Sequence, residues 1–108
     1  MHLHLRNENA AKRLPGAVQE YMRRRFTLSS EYLRSLRCFE YDGQFNSKHV
    51  KRIIIFSPDM VDEKNLLIKT RQDLEQHREM LLFEGYIDSA GNAYVADRRT
   101  PSGRVKAA

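Results

Sequence analysis

The segment Val50–Phe56 (VKRIIIF) constrains this chain more than any other. It is β-branched at most positions and stops at Ser57-Pro58, which marks it as a strand. Successive side chains of a strand point to opposite faces, so the unbroken run Ile53–Phe56 calls for apolar cover on both sides at that end. Such a strand belongs in the interior of a sheet. A chain of 108 residues is one domain and buries roughly 60–70% of its unfolded surface, enough for one small core.

The rest of the pattern is read outward from that strand. Pro15 suits the opening turn of a helix, and Val18, Tyr21, Met22 and Phe26 then fall on one helical stripe. A second, short helix is expected from Ser29 to about Leu36. Ser29 would be its N-cap, Leu28 and Leu33 its hydrophobic staple, and Glu31 lies in the first turn where the dipole favours a negative charge. The period then drops to two. Arg37–Tyr41 (RCFEY) runs into Asp42-Gly43, a turn dipeptide suited to a type I′ hairpin, with Gln44–Asn46 as the return. After Val50–Phe56, Ser57-Pro58 opens another helical stretch, and Thr70 with Asp73 three residues on is read as a fresh cap for a helix reaching Met80. Leu67, Leu74 and Leu81 suggest a stripe along it. Leu82–Asp88 and Ala93–Asp97, joined by Ser89–Asn92, form the last hairpin.

The expected architecture is therefore α+β: two β-hairpins forming an antiparallel sheet with helices packed on one face, in the order α-α-β-β-α-β-β. Residues 14–99 make the domain, between a flexible segment 1–13 and a disordered tail 100–108. The open face of the sheet is left for solvent, a partner molecule or a second copy.

Composition narrows the functional classes. The single cysteine, Cys38, excludes an intramolecular disulfide, and no CxxC or Cys/His ladder exists to hold zinc. With no signal-like N-terminus and no apolar run near the roughly 20 residues that span a bilayer, a soluble cytosolic protein with no membrane partner is expected. Net charge is +5, unevenly spread: +6 over residues 1–58 and −1 over residues 59–108. Such asymmetry suits a polyanion partner or charge pairing between subunits.

The cations of the N-terminal half are the main candidates. Arg23, Arg24, Arg25, Arg34, Arg37, Lys48, Lys51 and Arg52 are of the type that holds a nucleic-acid backbone, with Phe39, Tyr41 and Phe45 as platforms for bases. Against this, three consecutive helical arginines fan over about 200° of the circumference, and strand aromatics commonly fill cores. No RNP, helix-turn-helix, KH or zinc-finger pattern accompanies them.

The remaining candidates carry less. Glu40, Glu84, Asp88 and Asp97 are strand carboxylates that could converge, but alternation alone places such residues on any half-solvated strand. The four histidines, at 2, 4, 49 and 77, are scattered, and Cys38 beside Phe39 reads as a buried thiol. There is no Gly-rich phosphate loop, GxSxG or HExxH, so no catalytic residue, metal ligand or cofactor is assigned. Phe83, Tyr86, Tyr94 and Val95 on the last hairpin offer a stripe on which a homodimer could form. The expectation is a small non-enzymatic binding module whose basic half meets a polyanion such as nucleic acid. The alternative is a self-associating or small-ligand-binding module.

Overall fold

The structure, a computed structural model, describes residues 11–63 and 65–99. Its elements are α1 (Gly16–Phe26), α2 (Ser30–Ser35), β1 (Arg37–Phe45), β2 (Lys48–Phe56), α3 (Pro58–Glu63), α4 (Arg71–Gln76), a 3₁₀ turn (Arg78–Met80), β3 (Leu81–Ile87) and β4 (Ala93–Asp97). The four strands form one open antiparallel sheet in the order β1-β2-β3-β4, so the class is α+β and β2 is an interior strand.

Several local signals act as their chemistry dictates. The Ser29 Oγ accepts the Tyr32 N–H at 3.0 Å and starts α2. Thr70 and Asp73 form a complete capping box, with Asp73 N–H donating to Thr70 Oγ1 and Thr70 N–H to the Asp73 carboxylate, both at 3.2 Å. The helix it starts is short, however. It ends at Gln76 and tightens into the 3₁₀ turn before Met80. The expected Leu67–Leu74–Leu81 stripe does not exist: Leu67 is 75% exposed, Leu74 is buried on α4, and Leu81 already belongs to β3.

The first hairpin turns later than the sequence suggests. Asp42 and Gly43 lie inside β1, paired with Lys51 and Val50, and the chain reverses at Asn46-Ser47 with φ of 54° and 67°. Two positive φ angles are what a tight hairpin requires, and asparagine tolerates them well. Gly43 is used for space instead. A Cβ there would stand 2.5 Å from Cγ of Arg52, whose side chain lies across it. The extra strand length gives the hairpin an outer half, Tyr41 to Arg52, where most residues are exposed.

Register and alternation divide the sheet into two faces. Cys38, Ile53, Ile55, Phe83, Ala93 and Val95 point toward α1 and α2 and are sealed by Leu14, Val18, Met22, Leu33 and Leu36. The layering goes one step beyond the expectation on the other face. Phe39, Ile54, Phe56 and Leu81 point away from α1 and α2, and the β2–β3 connection supplies their cover through Val61, Leu74 and Met80. That cover lies over the end of the sheet where Phe39 pairs with Ile54, leaving Phe45 and Tyr94 on the same face exposed. Lys12, in the stretch preceding the domain core, bridges to Cys38 through two backbone hydrogen bonds of 3.0 and 2.8 Å.

Candidate functional site

The exposed half of this second face carries a row of side chains across all four strands. Tyr41, Arg52, Tyr86 and Tyr94 are successive cross-strand partners. Cross-strand neighbours on one face have Cβ atoms about 5 Å apart, so the row is a continuous surface feature. At one margin the guanidinium of Arg71, the first residue of α4, lies 4.1 Å from the Tyr41 ring centroid, a cation–π contact. At the other margin Tyr21 of α1 meets Tyr94 edge to face, with centroids 6.2 Å apart.

Phe45 extends this row toward the hairpin tip. It stacks on Tyr86 with centroids 4.5 Å apart and planes 23° from parallel, and Tyr86 lies 5.1 Å from Tyr94. One face of the Phe45 ring is therefore occupied, yet the residue remains 43% exposed. Tyr94 is 42% exposed.

Two cations share the face with these rings. Lys48 pairs directly with Phe45 and is exposed; Arg52 lies between Tyr41 and Tyr86 and donates from Nη1 to the Gln44 carbonyl at 3.2 Å. Lys51 and His49 project from the opposite side of the same hairpin, both near Asp42 at 3.6 and 4.0 Å. The outer hairpin thus holds Lys48, Lys51 and Arg52 against one acid, Asp42. The Nε atoms of Arg52 and Arg71 are buried with no hydrogen-bond partner among the described residues.

The eight cations singled out by sequence lie on two layers. Arg23, Arg24 and Arg25 occupy the last turn of α1, where they suit the negative end of the helix dipole. Arg23 and Arg24 are both drawn to Glu20, and Arg25 has no ion pair among the described residues. Arg34 is exposed at the end of α2, and Arg37 spends its Nη1 on the carbonyls of Arg34 and Leu36 at 2.9 and 2.8 Å. Lys48, Lys51 and Arg52 join Tyr41 and Phe45 on the outer half of the hairpin, Lys48 and Arg52 on the same face as the rings and Lys51 on the opposite one. Phe39 is separated from them. It is fully buried, stacked on Phe56 at 5.4 Å, so its ring faces are closed to any ligand. Tyr86 and Tyr94, read from sequence as a dimer stripe, are the rings that complete the row, and Arg71 carried no sequence signal at all.

The carboxylates do not converge. Glu40 faces α1 and α2 and pairs with Lys12 at 2.9 Å, while Glu84 is on the opposite face with Arg78 and Arg98 at 3.8 and 3.0 Å. Asp88 accepts the turn N–H groups of Asn92 and Ala90 at 2.8 and 3.0 Å; these bonds, that of Asn92 foremost, hold its carboxyl below the usual range. Asp97 binds Arg99. His77 is 3.7 Å from Glu79, and His2 and His4 lie outside the described residues, as do 100–108. Burial, followed by the Glu40 carboxylate, pushes the Cys38 thiol up to about 12 despite Lys12, so it stays protonated and inert. Among the described residues no three His, Cys, Asp or Glu side chains stand together as metal ligands, and no helix is long and apolar enough to cross a membrane.

Two shallow hollows flank Tyr94. One, of about 250 Å³, lies between the hairpin tips and is lined by Phe45, Lys48, His49, Tyr86, Ser89 and Tyr94 among others. The second, of about 300 Å³, lies between α1 and the β3–β4 turn and includes Tyr21, Arg24, Asn92 and Tyr94. Compared with protein-family models, with curated proteins and with solved structures, the chain matches none.

Proposed function

We propose that this protein is a non-enzymatic binding module that takes a single-stranded nucleic acid on the open half of its sheet. The observation carrying the reading is Phe45: a ring stacked on Tyr86, still 43% exposed, and paired across the hairpin with Lys48. A nucleobase would extend the stack, as every base has a π-face to offer, and stacking of this kind contributes about 1–3 kcal/mol per base. Lys48 and Arg52, on the same face as the rings, would meet the backbone phosphates. Duplexes keep their base faces covered, so an unpaired strand is the better fit.

Fluorescence anisotropy with a labelled single-stranded oligonucleotide tests this. Binding should weaken steeply with salt, and the Lys48→Ala/Arg52→Ala variant should reduce the magnitude of the log–log salt slope by about 1.4 if each cation meets one phosphate. No binding at low salt rejects the reading.

A second reading rests on the exposed rings themselves. Phe45 and Tyr94, both over 40% exposed, are apolar enough to seat a second copy of the chain. Sedimentation velocity distinguishes the two: a dimer lost on Phe45→Ser and indifferent to salt, with no oligonucleotide shift, favours self-association.

A further inference from the structure

Tyr94 is shared by both hollows, which makes them neighbours across the β4 edge rather than separate sites. The ring series Phe45–Tyr86–Tyr94–Tyr21 runs without a gap from one to the other, at 4.5, 5.1 and 6.2 Å. It leaves the open face of the sheet at Tyr94 and reaches α1 at Tyr21, two residues before the arginine run. We infer that the nucleic-acid strand does not end on the sheet but crosses β4 into the groove between α1 and the β3–β4 turn, where Arg24 receives a phosphate. The inference rests on the functional reading above.

The groove has the chemistry such a path needs. Tyr21 and Tyr94 supply aromatic walls, and Asn92 and Glu20 line it with groups that can meet the polar edge of a base. Arg24 touches Glu20 only through Nε at 3.5 Å, with its side chain 75% exposed. An exposed pair of this kind contributes little to stability, so trading the carboxylate for a phosphate costs little. Arg25 is not a lining residue, so the phosphate contact in the groove falls to Arg24 alone. The path also joins Arg24 to the hairpin cation Lys48, which lines the other hollow.

Oligothymidylates of about four and about ten nucleotides separate the possibilities, since the shorter spans the sheet rings alone. The longer probe should bind at least about tenfold more tightly than the number of extra binding registers accounts for, equivalent to one further stacked and phosphate-held nucleotide. Arg24→Ala should abolish that gain and leave the affinity of the short probe unchanged; the residue is exposed on a helix, so the fold is not at risk. If the short probe binds and the long probe gains nothing, or if Arg24→Ala weakens both equally, the crossing is wrong while the sheet site stands. If neither probe binds, both ideas fall. A salt-insensitive dimer in sedimentation that is lost on Tyr94→Ser also overturns the crossing.

Discussion

The two halves of β2 follow opposite rules. Ile53 to Phe56 is buried on both faces, between α1 and α2 on one side and the β2–β3 connection on the other. Lys48 to Arg52, five residues of the same strand in the same ladder, keeps only Val50 buried. The hydrogen-bonded backbone is continuous through both, so the ladder is not what separates a scaffold from a surface. Side-chain cover is. One half has neighbours that exclude water; the other leaves its rings and cations exposed or half-exposed.

This contrast is open to direct attack. The largest loss is expected at the covered end, where Phe39→Ala removes a fully buried ring stacked on Phe56 and should cost about 3–5 kcal/mol in denaturant unfolding. A value near that of a surface substitution would mean that this face is not packed. Gly85→Ala comes next. A Cβ at that position would stand 1.9 Å from the Tyr94 carbonyl oxygen, and because the obstacle is backbone, β3 and β4 must separate. A loss of about 1–3 kcal/mol is expected, with reduced amide protection in β4; an unperturbed thermal midpoint would contradict the close approach.

At the uncovered end the same chemistry should matter far less for folding. Phe45→Ala forfeits one stacked cross-strand pair, about 0.2–1 kcal/mol, while weakening single-stranded oligonucleotide binding by about fivefold or more. Loss of stability comparable to that of Phe39→Ala would erase the distinction between the halves. The smallest effect is expected in the β3–β4 turn. The Asp88 carboxyl is lowered by the N–H groups it accepts, so whatever it adds to the turn is complete above its unfolded pKa and fades only as pH falls through the folded value. The amide resonance of Asn92 should therefore shift with a midpoint below the ordinary carboxylate range, and a midpoint within that range would show the bonds to be absent in solution.

How far the sequence could be read depends on how local each cause is. Caps are local, and Ser29 and Thr70 announce themselves through residues three positions away. The antiparallel α+β order was legible for the same reason, from turn residues and changes of period. Layering is not local. Phe39 and Phe45 have the same residue type and the same side of one strand, yet one is sealed beneath Leu74 and Met80 and the other stands in the open. Nothing within β1 distinguishes them; the difference is made by a connection some thirty residues later in the chain. The Asp42-Gly43 dipeptide misled because glycine serves two ends, and here it clears space for Arg52 instead of bending the chain. The row Tyr41–Arg52–Tyr86–Tyr94 needs the register of three strand pairings at once, so its members could be suspected individually but not assembled.

The reversal at Asn46-Ser47 has a consequence for motion. Holding a side-chain-bearing residue such as Ser47 in left-handed backbone costs about 1 kcal/mol that a glycine would not incur. That penalty sits at the far end of the arm, where the residues around it are exposed, so deuterium should enter the hairpin from the tip inward while the amides around Ile55 stay protonated. An arm that opens first at its end moves apart from the core it grows out of, and Ser47→Gly, by removing the left-handed penalty, should slow exchange at the tip.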